Sequence, residues 1–214
     1  VHCTRQPIRS GAFSLPLLAI NRRGTPALPA GGAPAYNTIR PMESFSITPI
    51  GTVNSTYTEP ALTHRDGDLN LDEEILAETR TGKGQLSEII IDQPFEECLD
   101  GIEGFSHIMV LYWAHTLEPD KRSTRKVHPI GKKEFPLVGV FATRSPARPN
   151  PICSTTVELV KRSGNRLIVK NLDALDGTPV IDIKFHHPSY DAPQDVVWPE
   201  WMHRVIRFFR EKLK

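Results

Sequence analysis

The sequence predicts a mostly β protein: a small antiparallel β-barrel with a few short helices and one C-terminal helix. Three observations carry this. Seven short runs of apolar or β-branched residues follow one another between Ser46 and Lys184. Clusters of Gly, Pro, Asn and Asp separate them, at 101–104, Gly131, 163–165 and 176–179. Little helix-forming sequence lies between the runs, so the strands are expected to pair antiparallel, and closing the sheet removes its exposed edges.

The first run, 46–56, alternates loosely around Ile47, Ile50 and Val53. The others are 87–91, 105–114, 137–142, 154–161, 166–172 and 180–184. A short helical turn is expected over 95–100, stopped by Gly101. A longer helix is expected over 199–214, because Pro199 suits a first turn and Trp201, Val205, Phe208 and Phe209 form one apolar stripe among arginines and lysines. That stripe is read as a packing face, with a basic helix touching RNA as the sharper alternative. His107, mid-run, is expected to be a hydrogen-bonded core histidine.

Residues 1–41 stand apart. They hold six prolines, four glycines, five arginines and no acid, too little periodic apolar surface to offset chain entropy. A disordered tail, a targeting peptide and sequence upstream of a start at Met42 are the readings weighed. The proline density argues against an amphipathic targeting helix. The expected organisation is therefore an N-terminal extension, 1–41, and a barrel domain with its C-terminal helix, 42–214.

Charge limits the function. Of the 26 basic side chains five lie in 1–41, which leaves 21 against 25 acidic ones in the rest. An acidic body has no overall attraction for a nucleic acid, so any RNA contact must come from a local basic patch. No apolar run approaches the ~20 residues of a membrane helix. The three cysteines, Cys3, Cys98 and Cys153, are far apart and suit a reduced, cytoplasmic protein. Adjacent residues of a strand point to opposite faces, so His186–His187 is assigned no metal. No phosphate-binding glycine fingerprint is present.

The most informative stretch is 139–152, GVFATRSPARPNPI. A predicted strand enters a loop with Arg144, Arg148, Pro146, Pro149 and Pro151. Proline fixes φ, so the two guanidiniums are held for capture of a carboxylate or phosphate, or else brace a rigid surface turn. Asp182 and Lys184, two apart on a strand, share a face while Ile183 points away. They form either an acid–base pair or a surface ion pair of small worth. Asp176–Gly177 reads as a hairpin turn or as a loop whose backbone a ligand can approach closely.

The arginine stretch resembles the signature of the TsaA/TrmO-like family. ITPIGTVNS (47–55), GFSHIMVLYWAH (104–115) and DALDGTPVIDIK (173–184) match in order, and the resemblance covers roughly 46–191. It implies a β-barrel that binds S-adenosyl-L-methionine and works as a homodimer with the cofactor near the interface. It implies methyl transfer to the exocyclic nitrogen of threonylcarbamoyladenosine, next to the tRNA anticodon. Carried over by position, the cofactor-binding candidates are Arg65, His115, Thr116, Arg144, Asp173, Asp176, Gly177 and Thr178. Arg144 or Arg65 is expected to pair with the cofactor carboxylate, and Asp173 or Asp176 to accept from its ribose hydroxyls or ammonium. The catalytic candidates are Asp182 and Lys184: Lys184 stabilises charge developing on the acceptor nitrogen and Asp182 orients it. Arg148, Asn150, Phe185 and His186 are the substrate-binding candidates. Phe185–His186 stands where many members have Pro-Tyr, which leaves Phe185 or His186 to stack the target base. The alternatives are a methyltransferase with a non-tRNA acceptor and a non-catalytic module that binds S-adenosyl-L-methionine.

Overall fold

The computed structural model describes residues 44–65, 67–81 and 85–212. The chain divides into two units, Val1–Phe45 and Ser46–Lys214. The expected N-terminal extension, 1–41, lies outside the described residues.

In chain order the strands are β1 (Gly51–Asn54), β2 (Leu62–Arg65), β3 (Asp68–Leu71), β4 (Leu86–Ile91), β5 (His107–Trp113), β6 (Lys126–Val127), β7 (Val138–Gly139), β8 (Ile152–Ser163), β9 (Arg166–Lys170) and β10 (Pro179–Phe185). The helices are α1 (Glu73–Thr81), α2 (Pro188–Asp191) and α3 (Glu200–Lys212), with short 3-10 turns between. Six strands close a barrel in the order β1-β10-β5-β8-β9-β4, every neighbouring pair antiparallel.

Alternation builds the core. Ile108, Val110 and Tyr112 of β5 point inward, as do Ile89 and Ile91 of β4, Leu167 and Val169 of β9, and Val180 of β10. Opposite residues of an antiparallel pair share a face, so Val110 brings Ile183 inward. The outward face of the same sheet carries Leu111 beside Asp182 and Met109 beside Lys184. His107, expected in the core, is exposed at the mouth of β5 and bonded to Ser106. Its register places it one position before the buried Ile108.

Two segments depart from expectation. Residues 137–142 give only the two-residue β7, paired with β6, and then a 3-10 turn over Val140–Ala142. The run stays outside the barrel because Val140 is buried with its amide bonded to Arg125 O, 2.9 Å, which curls the chain away. The β2–β3 hairpin and α1 were not anticipated, since both strands are short and polar. Asp72 starts α1 by accepting the amides of Glu74 and Ile75, each at 3.0 Å.

The hairpin is fastened to the segment that follows β6. Asp68 Oδ1 accepts the amides of Leu69 and His128, at 2.8 and 2.9 Å, and Asp68 Oδ2 lies 2.5 Å from His128 Nδ1. Gly131, at φ +72°, lets this segment touch the hairpin, where an added Cβ would stand 2.2 Å from Leu69 O. The same segment receives α3. Lys132 Nζ lies 5.0 Å from the Phe208 ring centre, and the Arg204 guanidinium lies 5.2 Å from that of Phe135.

Candidate active-site cleft

A cleft of about 1280 Å³ opens between the barrel mouth, the β2–β3 hairpin, the loop 171–178 and the arginine loop. Its floor is the end of β5 and the start of β8, through Tyr112, Ile152, Cys153, Ser154 and Thr155. The hairpin supplies Leu62, Thr63, His64 and Arg65, and Phe209 of α3 reaches in from the far side.

Arg144 lines this cleft. Its Nη2 donates to Ser154 O and Oγ, at 2.7 and 3.1 Å, which leaves Nη1 and Nε with no protein acceptor among the described residues. The proline-braced loop thus holds one half of the fork and presents the other. Arg148 turns inward instead. Its Nε donates to Ser145 O, 2.6 Å, and its Nη2 to Thr143 O, 2.7 Å, so it braces the loop. Asn150 is exposed in the same loop, and neither residue lines the cleft.

The loop 171–178 carries the opposite charge. Asp173 lines the cleft with an exposed side chain. Its carbonyl accepts the hydroxyl of Tyr112, a buried residue that also meets Thr155 Oγ1 at 3.1 Å. Burial pushes the Tyr112 phenol well above its ordinary range; Thr155 and Arg144 oppose this and Asp173 adds to it. The Cys153 thiol is raised by burial and by Asp173, against Arg148 and Arg144. Tyr57 is raised for the same two reasons, burial first and Asp173 second. Asp173 and Arg144 therefore act with opposite sign on Tyr112 and Cys153.

Thr178 is buried and lines the cleft, its Oγ1 3.3 Å from His115 Nδ1; His115 and Thr116 also line it. Asp176 and Gly177 sit behind the cleft wall. Asp176 Oδ1 accepts the Ser55 amide at 3.0 Å, and the amides of Asp176 and Gly177 donate to Tyr57 O and Val53 O. Gly177, at φ +72°, makes the turn that brings the loop against His115. Arg65 is exposed at the end of β2, and His64 Nε2 meets Thr124 Oγ1 at 3.2 Å while its Nδ1 is buried with no hydrogen-bond partner among the described residues.

Asp182 and Lys184 lie on the outer sheet face, their charged atoms 2.5 Å apart. Asp182 Oδ1 also accepts the Ile183 amide at 2.9 Å. They are outside the cleft lining but share its wall. Across the sheet Asp182 faces Leu111 and then Ser154, and Lys184 faces Met109 and then Thr156. Ser154 and Thr156 line the cleft, two strand spacings from the pair, or ~10 Å. Phe185 stacks on Phe105, ring centres 4.8 Å apart, at the end of β10 away from the cleft mouth. His186 Nδ1 stands 3.3 Å from Asp191 Oδ2 without hydrogen-bond geometry.

Sequence reasoning missed Tyr112, Thr155 and the hairpin wall. Tyr112 lay within a quoted stretch, and its place in the 108–110–112 alternation was the available signal; its acceptor, a backbone carbonyl 61 residues away, had none.

A family model described as the tRNA-methyltransferase O N-terminal domain matches residues 68–192. A "Probable S-adenosyl-L-methionine-binding protein" of Methanothermobacter thermautotrophicus is 40% identical over 146 residues, 68% of this chain and 93% of that protein. A "Putative S-adenosylmethionine-dependent methyltransferase RcsF" of Pseudomonas aeruginosa is 33% identical over 177 residues, 77% of this chain and 68% of that protein. The crystal structure of TrmO from Pseudomonas aeruginosa aligns with a TM-score of 0.52 at 26% identity, covering 80% of this chain and 78% of that one.

Proposed function

The chain belongs to the tRNA-methyltransferase O family, and on that premise we propose that it binds S-adenosyl-L-methionine in the cleft and methylates the exocyclic nitrogen of threonylcarbamoyladenosine beside the tRNA anticodon. One observation carries the reading: a half-free guanidinium, Arg144, and a carboxylate, Asp173, line one cleft of about 1280 Å³ around a buried tyrosine. A zwitterionic ligand needs both charges, and the cleft exceeds the ordinary range of small-molecule sites. Arg144 receives the cofactor carboxylate, and Asp173 accepts from the ammonium or ribose hydroxyls. Tyr112 fixes the Asp173 backbone, and Arg148 fixes the loop of Arg144.

The bound cofactor supplies a methyl already activated by its sulfonium. What remains for the protein is positioning and charge. The acceptor nitrogen belongs to a urea-like group and is a poor nucleophile: it gives up its proton to solvent as the new N–C bond forms and the S–C bond breaks, and the cofactor leaves as its neutral thioether. Lys184 stabilises the negative charge that develops there, and Asp182 holds the ammonium in place. A homodimer with the cofactor near the contact completes the proposal, with the half-buried Met109 and Leu111 between the catalytic pair and the cleft as apolar contact surface.

Calorimetry with S-adenosyl-L-methionine, followed by mass spectrometry of nucleosides from tRNA incubated with both, tests this. Saturable binding and a mass gain of one methyl on threonylcarbamoyladenosine are expected. Binding with unmodified tRNA removes the tRNA reaction, and no binding removes the whole assignment.

A further inference from the structure

The acidic body hides a concentrated cationic surface. Residues 121–133 carry six lysines and arginines and no acid. The segment starts at the cleft, where Lys121 lines the wall, and ends against α3, where Lys132 lies over Phe208. α3 adds Arg204, Arg207, Arg210 and Lys212 against Glu200 and Glu211. Lys121 is paired with Glu118 and Asp120, and Lys132 with Glu73. The neighbouring Arg125, Lys126, Lys133, Arg207 and Arg210 are exposed and form no ion pair among the described residues. On the barrel strands Arg162, Arg166, Lys170 and Lys184 each meet a carboxylate, while the exposed Lys161 has none among the described residues.

A run of cations without acids beside a cleft, several of them exposed and unpaired among the described residues, suits a polyanion. We propose that segment 121–133 and the outward side of α3 form a rim that holds the phosphate backbone of RNA while a nucleotide enters the cleft. This deepens the tRNA reading and rests on it. An anionic membrane is the rival partner, since Val197 and Trp198 beside α3 are exposed. A helix that lies in a bilayer surface must, however, offer its apolar face. That face of α3 is engaged: Val205 is buried, Phe208 lies under Lys132, and Phe209 reaches the cleft. Only the cationic side remains outward.

The test uses the full chain and a variant with Lys126→Gln, Lys133→Gln, Arg207→Gln and Arg210→Gln, its fold checked by circular dichroism. Fluorescence anisotropy with labelled total tRNA between 50 and 200 mM KCl, roughly the span over which counterion release is read, gives affinity and its salt slope. The variant is expected to bind about tenfold or more weakly, with a log–log salt slope shallower by about three. Its calorimetric affinity for S-adenosyl-L-methionine is expected to be unchanged. Equal tRNA affinity in both proteins, no tRNA binding by the wild type, or loss confined to anionic phosphatidylserine vesicles overturns the rim. A wild type that binds tRNA through these residues yet leaves it unmethylated keeps the rim and defeats the function proposed above. Methylation with a variant as effective as wild type does the reverse.

Discussion

Arg144 and Arg148 stand four residues apart in one proline-braced loop and do different work. Arg148 spends its donors on the carbonyls of Thr143 and Ser145, while Arg144 anchors one nitrogen on Ser154 and keeps the rest for the cleft. Arg144→Ala should cost ~1.5–3 kcal/mol of cofactor binding, the usual worth of a hydrogen bond to a charged group. Calorimetry on the folded variant checks it, and unchanged affinity takes Arg144 out of the site. Lys184→Met should leave cofactor affinity nearly intact and lower kcat for methyl transfer, because Lys184 lies outside the cleft lining. Full turnover in that variant would end its charge-stabilising role. At this scale the sequence showed which side chains were held by prolines. Which of two guanidiniums lined the cleft depended on where Ser154 lay, ten residues on and across a loop.

The β2–β3 hairpin is the element on which the cleft wall depends, and it is fastened largely through Asp68. Burial pulls that carboxyl upward, but bonds from the His128 ring and amide and from the Leu69 amide outweigh it and hold Asp68 below its ordinary value. A depressed folded value means the carboxylate stabilises the structure above the unfolded carboxyl range, and the stabilisation is lost as pH falls through the folded value. Cofactor affinity should therefore fall below about pH 4, the ordinary Asp range, and Asp68→Asn should lose affinity already at neutral pH. Calorimetry across pH 3.5 to 7 checks both; an Asp68→Asn variant with wild-type affinity at pH 7 removes the fastening role. Gly131→Ala should act likewise, since its Cβ would meet Leu69 O at 2.2 Å in a left-handed backbone. A lower Tm and weaker cofactor binding together are expected, and an unchanged Tm would show that the contact yields. None of this was legible in sequence, because β2 and β3 are four residues each and mostly polar. α3 was legible, because its apolar spacing is its packing face.

Residues 46–214 fold around a closed barrel with one thin seam. β1 joins β10 through only Gly51–Val180 and Thr52–Pro179 in register, supplemented by amides of Ile50 and Val53. Pro179 has no amide to donate. Hydrogen exchange should find β1 amides facing β10 exchanging ahead of those of β5 and β8, which pair over seven positions. Uniform protection around the barrel would contradict a weak seam. Away from it, Ile89→Ala should cost ~2–5 kcal/mol in denaturant unfolding, as for a fully buried aliphatic side chain. The sequence by itself determined the strand-rich class, the apolar and β-branched runs that supply the six barrel strands, the terminal helix and the proline-braced arginine loop. These are local properties: side-chain period, proline geometry and turn residues act within a few bonds of where they are written. Tertiary structure decided the rest. It kept 137–142 out of the barrel, raised a polar hairpin into a cleft wall, and set Arg144 opposite Asp173. It also laid α3 against the cation-rich segment 121–133 and the residues after it. Those outcomes depend on contacts between residues far apart in the chain, and chain closure, not local pattern, chooses among them.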